Sequence, residues 1–198
     1  MANPEQLEKL RERVDAWNLW REKHPEIVPD LEQASFEGID LQGINLRGAN
    51  LRRSTVTRAN LKLASLRGAN LSSVWLAFAN LAKAELSEAK FTHADLSGAD
   101  LSDASLYGTV LSSVALLLAN LRRANLSGAI FQFTELAKSD LTEAQVGNCV
   151  FANSGFNQVQ GLETVFHYAP LQSVSIRFWS LRASYRRYFC LAAGCQIT

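Results

Sequence analysis

Residues 96–108 read LSGADLSDASLYG, which places Leu96, Leu101 and Leu106 five residues apart. That spacing fits neither regular element, because a helix repeats its buried face every 3.6 residues and a strand every second residue. Working outward in both directions, the same register holds from Leu31 to Phe156 without an insertion. It gives 26 large positions, filled by 19 Leu, five Phe and two Val. Leu31, Phe36, Leu51, Leu71, Phe91, Leu101, Leu121, Phe131, Leu141, Phe151 and Phe156 are representative and are read as core.

Two residues before the large one stands Ala or a residue nearly as small, such as Ser54, Thr109 or Cys149, with Pro29, Ile39, Ile44, Val74 and Val114 the bulkiest. The residue immediately before is most often Asn or Asp, as at Asn50, Asn60, Asp95, Asp100 and Asn120. The unit is therefore A(N/D)LXX. One large and one small inward residue in every five suit a chain that runs briefly extended and then turns. Four such units close a coil of 20 residues. Stacked coils pair like neighbouring strands, about 4.8 Å apart, so the array predicts six and a half coils rising roughly 30 Å. Each coil buries its core only against its neighbours, as in other solenoids.

On these repeats, residues 29–158 resemble the pentapeptide-repeat family. The resemblance implies an all-β fold, a right-handed quadrilateral β-helix. Residues 1–28 are expected to form a short capping α-helix and linker. Asn3 suits its N-cap, Pro4 its first turn, and Gln6 a capping box. Leu7, Leu10, Val14, Trp17 and Trp20 make its apolar stripe, and Pro25 stops it. Such a helix would cover the core and the unpaired strand edges of the first coil.

The composition carries no strong field: 20 Lys and Arg stand against 19 Asp and Glu over the 198 residues. Within residues 30–156 there are 11 basic and 12 acidic side chains, a net charge of −1. Some pentapeptide-repeat proteins mimic DNA with an acidic column and protect a topoisomerase. That alternative needs a field of one sign, which this balance does not supply. Glu85, Glu88, Asp95, Asp100 and Asp103 cluster in the middle coils and read as a solvated face. Arg52 and Arg53 stand 70 residues from Arg122 and Arg123, three and a half coils away, so the pairs point from opposite sides and no nucleic-acid surface is expected.

No catalytic, cofactor-binding or metal-binding residue is expected. His24, His93 and His167 fit no ligand spacing, and no Gly-rich phosphate loop follows a strand. The start of the chain has no secretory pattern, and no stretch approaches the roughly 20 apolar residues that span a bilayer. Three cysteines without a framework spacing suit a reducing compartment, so a bacterial cytoplasmic location is expected.

What departs from the pattern is a set of outward apolar residues. Trp75 and Phe78 are followed two coils later by Leu117 and Leu118. On the adjoining side Val110, Ile130 and Val150 recur 20 residues apart, with Phe133 nearby. These eight form a candidate interaction patch for an unknown protein partner or a second copy.

The segment 159–198 is a tail. Residues 161–170, GLETVFHYAP, resemble a segment that precedes Toll/interleukin-receptor-like (TIR) domains in bacterial multidomain relatives. The continuation from about residue 171 does not match, yet allowed codons read in a shifted frame spell SSIGIDTILESKGKLPEVFLLGGRLPDN, in the style of those relatives. The tail therefore reads as frameshifted and poorly ordered, and the chain as the truncated N-terminal module of a longer signalling-type protein. Taken at face value, the basic and aromatic residues from Arg177 to Phe189 would instead suggest a membrane surface, a weaker alternative. The leading expectation is a non-enzymatic scaffold for protein–protein interaction, without cofactor, nucleic acid or membrane.

Overall fold

The computed structural model describes residues 1–167 and 173–176. From Asp30 to Gln160 the residue before each large one forms a parallel bridge with its counterpart 20 residues later, beginning Asp30↔Asn50, Ser35↔Thr55, Asp40↔Asn60 and Asn45↔Ser65. Each coil thus holds four pentapeptides, and like units stack in four columns. We name each column by an outward member: the Trp75, Asp100, Tyr107 and Val110 columns.

The hydrogen bonds of the backbone N–H groups explain the motif. In the unit around Leu61, the Leu61 N–H donates to Asn80 O one coil on, and the Leu63 N–H donates to Ala82 O. The Asn60 N–H reaches back to Ile39 O, and the Ala64 N–H closes a turn onto Leu61 O. Only the Lys62 N–H is left, and Asn60 Oδ1 accepts it at 3.2 Å. The same bond recurs from Arg52 to Asn50, Ser97 to Asp95, Ser102 to Asp100 and Arg122 to Asn120. Asn and Asp are preferred there because a short side-chain acceptor completes the polar inventory of the unit.

The turn fixes the next position. Its second central residue has positive φ in every one of the 26 units, 19 of them non-glycine and seven glycine, while its first central residue never does. That is the type II pattern, in which the second central residue is left-handed.

Where β-branched residues stack directly in the Asn/Asp position, the residues ahead of the left-handed one also pair as short strands. Val110, Ile130 and Val150 open strands β1 (Val110–Ser112), β2 (Ile130–Gln132) and β4 (Val150–Ser154). Their branched side chains favour the extended conformation and offer no acceptor to the N–H two residues on. Strand β3 (Gln145–Val146) forms in the Tyr107 column.

The 26 large residues are each at most 3% exposed and form one core with the inward alanines. Hydroxyls in the small inward positions donate to carbonyls: Ser54 to Leu51 at 2.7 Å and Ser139 to Leu136 at 2.8 Å. Toward the C-terminal end Phe131 and Phe151 stack at 4.6 Å, and Phe151 meets Phe156 edge-on at 5.2 Å.

At the N-terminal end the expected single helix is two, α1 (Pro4–Glu12) and α2 (Val14–Lys23), separated by extended backbone at Arg13. The break lets the helices serve two different edges of the first coil. From α1, the Asn3 N–H donates to Asp30 O at 2.8 Å, and Gln6 Oε1 accepts the Asp30 N–H at 2.7 Å. Gln6 therefore does not close a capping box, because the Asn3 N–H it would serve is already bound. From α2, Asn18 accepts the Asn45 N–H at 2.8 Å and donates to Gly43 O at 3.0 Å, acting as a peptide group of a missing coil. Trp17 Nε1 donates to Asn45 O at 2.7 Å. Leu10 and Trp17 are buried, and Leu7, Val14 and Trp20 pack half-buried against the core.

The 20-residue register ends after Gln160. A left-handed Gly161 leads into a 3-10 turn, Leu162–Thr164, and strand β5 (Phe166–His167) then pairs with β3. Strand β6 (Ser173–Ile176) pairs with β4, completing a four-stranded parallel sheet in the order β1-β2-β4-β6. The expected disorder of the tail otherwise concerns residues that lie outside the described ones.

Candidate interaction surface

The outward residues can be placed by column. Trp75, Phe78, Leu117 and Leu118 share the Trp75 column, whereas Val110, Ile130 and Val150 belong to the adjoining sheet. Trp75 and Phe78 are each 60% exposed, Leu118 58% and Leu117 39%. Ile130 is 38% exposed, while Val110 and Val150 are half-buried by pairing with their neighbours. Phe133, at 54%, sits on the turn where the chain passes from the Val110 column into the Trp75 column.

Within the Trp75 column the two apolar pairs are separated by one coil, which presents Asp95, Ser97 and Gly98. Bridges Trp75↔Asp95 and Asp95↔Ala115 show that coil lying directly between them. The separation is partly closed by Phe78, whose ring lies over Gly98: a Cβ built on Gly98 would be 2.5 Å from Phe78 Cε1. On its other side the ring faces the Arg58 guanidinium, 5.9 Å from its centroid. Column stacking thus makes the sequence Arg58, Phe78, Gly98, Leu118, Lys138 a continuous ridge.

The ridge consists of turn residues, and that changes its energetics. A bulky side chain at positive φ is uncommon because Cβ crowds the following carbonyl. Among the 26 turn residues only Leu63, Phe78, Leu118 and Phe133 are large and apolar. Three of these four border the Trp75 column. Leu63, in the Asp100 column and 51% exposed, and Tyr107, 55% exposed, were not singled out by the sequence pattern. Leu63 stands at a turn position with no exposed apolar neighbour at the same position one coil away, Gly43 and Lys83 flanking it.

Two of the five residues in the acidic cluster, Asp103 and Glu88, are paired with arginines. Arg123 grips Asp103 with Nε–Oδ1 2.6 Å and Nη2–Oδ2 2.9 Å, and this hydrogen-bonded guanidinium lowers the Asp103 pKa and raises its own. Arg67 meets Glu88 at 2.8 Å, lining a groove in the Tyr107 column with Arg47, Glu85 and Tyr107. Asp100 accepts from Asn120 at 2.8 Å. Burial pushes the Asp140 carboxyl up, but Thr142 and the Arg122 guanidinium outweigh it and hold the pKa below its ordinary value. Arg52 and Arg53 lie in the Val110 column and Arg122 and Arg123 in the Asp100 column, half a coil apart.

Among the described residues, no group of three His, Cys, Asp or Glu side chains is placed to hold a metal ion. Cys149 is buried, its thiol donating to Leu126 O at 3.0 Å, and burial raises its pKa. No helix among the described residues is long and apolar enough to cross a membrane.

A family model described as pentapeptide repeats matches in eight copies, over residues 30–68, 64–103, 104–143 and 119–158. No curated protein matches the sequence. Among solved structures, trypsin-treated QnrB1, a plasmid-mediated fluoroquinolone resistance protein, superposes with a TM-score of 0.58 at 16% identity, covering 85% of this chain and 90% of QnrB1. That likeness concerns the fold alone. HetL, involved in heterocyst differentiation regulation in the cyanobacterium Nostoc sp. strain PCC 7120, is 23% identical over 72% of each chain, with a TM-score of 0.39. A pentapeptide repeat protein of the Arabidopsis thaliana thylakoid lumen is 26% identical over 64% of this chain and 77% of its own, with a TM-score of 0.47.

Proposed function

The chain belongs to the pentapeptide-repeat family, and from that premise we propose that it is a non-enzymatic, right-handed and four-sided β-helical scaffold whose Trp75 column binds another protein. One observation carries the reading: three of the four large apolar turn residues, Phe78, Leu118 and Phe133, border this column. Each combines apolar exposure with a left-handed backbone, where seven other units place glycine. Two independent costs falling together on one surface favour retention for binding over drift.

The alternative, topoisomerase protection by DNA mimicry, has less support. QnrB1 is described as a resistance protein, but the carboxylates of this chain are interleaved with arginines at Asp103, Glu88 and Asp140. A steering field needs unpaired charge of one sign.

The experiment is a binding comparison. The double variant Phe78→Gly with Leu118→Gly should lose the assembly or partner that the native chain holds, with an unchanged far-UV spectrum. Leu63→Gly, an equally apolar turn residue in the Asp100 column, should keep it. Equal binding by all three proteins would return the surface to drift.

A further inference from the structure

The Trp75 column is complementary to itself. Across each row the outward positions are a residue before the large one and a turn residue three further on, with a central residue between. Reversing a row exchanges its ends. In the row at Leu116 the ends are Ala115 and Leu118, and in the row at Leu76 they are Trp75 and Phe78, so apolar meets apolar. In the row at Leu136 they are Glu135 and Lys138, so acid meets base. The central residues Ala77, Ser97 and Ala137 are small and let two such surfaces approach, while the central Leu117, 39% exposed, would meet its own counterpart and adds an apolar contact to the Leu116 row.

Only one arrangement uses this pattern. A two-fold axis parallel to the solenoid axis keeps every row level and reverses it. A two-fold axis across the column would keep each position opposite itself and invert the rows, placing Lys138 against Arg58 of the other copy. Like charges would then meet. The constant 20-residue register, from Asp30↔Asn50 to Asp140↔Gln160, keeps the rows in straight columns, as level pairing requires.

We propose that the Trp75 column is a two-fold self-association surface on which two copies lie side by side with parallel solenoid axes, Trp75 facing the partner's Phe78 and Glu135 facing the partner's Lys138. The proposal rests on the reading of this column as a protein-binding surface and names its occupant. Glu135 and Lys138 are both exposed and join none of the ion pairs found among the described residues; Glu135 Oε1 accepts the Ala137 N–H at 3.2 Å, which leaves the carboxylate without a cationic partner of its own. Five rows stand roughly 20 Å tall, a surface at the small end of specific interfaces. The dimer is therefore concentration-dependent, with a Kd on the order of micromolar.

Sedimentation equilibrium of the full 198-residue chain tests it. The native chain should pass from monomer to dimer as concentration rises. Glu135→Lys and Lys138→Glu should each raise the Kd about tenfold, since the two-fold axis repeats each lost contact. An equimolar mixture of the two variants should recover native affinity as a heterodimer, because each repulsive contact becomes attractive. Both changes are outward, and an unchanged far-UV spectrum checks the fold.

A chain that stays monomeric, a dimer indifferent to both charge reversals, or variants that fail to rescue one another would overturn the proposal. So would a dimer seen only after deletion of residues 177–198, since that segment would then be what covers the column. A monomeric native chain whose Phe78→Gly, Leu118→Gly form loses a different protein overturns the dimer and leaves the scaffold reading standing. Binding unaffected by those two glycines removes both.

Discussion

The ring of Phe78 lies over the α-carbon of Gly98, so close that a methyl group there would be 2.5 Å from it. Gly98 also has φ +66°, which a Cβ disfavours. Gly98→Ala should thus displace the ring and cost about 1 kcal/mol. Phe78→Gly relieves its own left-handed strain but loses the ring's contacts with Gly98 and Arg58, so its net effect should lie within about 1 kcal/mol of zero. Thermal unfolding of both variants checks the pair. A loss of several kcal/mol in Phe78→Gly would make the ring structural and weaken the case for an interaction surface.

The register makes a sharper demand on the core. Leu101 is fully buried, whereas its neighbour Ser102 is half-exposed and has its N–H held by Asp100. Leu101→Asp should cost several kcal/mol by burying an unpaired carboxylate, and Ser102→Asp about half a kcal/mol or less. Equal falls in melting temperature would contradict the inward assignment.

Much of this architecture is legible from the chain because the five-residue period dictates burial, bridge partners and the acceptor at each Asn or Asp. The break at Arg13 was not legible. The stripe Leu7, Leu10, Val14, Trp17 is consistent with one helix, and the need to serve both the Asp30 and Asn45 edges appears only when the first coil is placed. The candidate surface was half legible. Outward apolar residues stand out by position, but the strain at Phe78, Leu118 and Phe133 depends on φ, which the period does not state. Nor did it show that Phe78 bridges the polar coil at Asp95.

The cap should fail locally. Trp17 is fully buried, and Trp17→Ala should cost about 3–5 kcal/mol. Asn18→Leu leaves the Asn45 N–H and Gly43 C=O without their partner and should cost about 1–2 kcal/mol. Because coils are stabilised by nearest neighbours, amide exchange should quicken in α1, α2 and the first coil while residues 80–140 stay protected. Uniform loss of protection would mean that the solenoid unfolds as one unit.

Acid should weaken the fold partly through Asp103 and Asp140. Both have folded pKa values below the ordinary 3.8. Their stabilisation is present above that value and is lost as pH falls through the lower folded values. The Arg123–Asp103 pair is exposed, so the effect is small and screened by salt. Asp103→Asn with Asp140→Asn should flatten the stability–pH curve below about pH 4 and leave its shape near neutrality unchanged. An unaltered acid limb would show that neither carboxylate is coupled to folding.

The far end of the solenoid offers the last test. Strand β6 covers the edge of β4, whose Phe151 stacks on Phe131 in the core. Deleting residues 171–198 removes that strand and exposes the β4 edge to solvent and to pairing with other chains. Since each coil is held by its immediate neighbours, the coils from Leu31 to Leu121 should remain folded. Protection should fall only around residues 145–160, with more aggregation at high concentration. Hydrogen exchange resolved by segment reads both effects. Retained protection at Val150–Ser154 would mean that β6 contributes little to the edge, and collapse of the whole array would make the segment an obligatory cap.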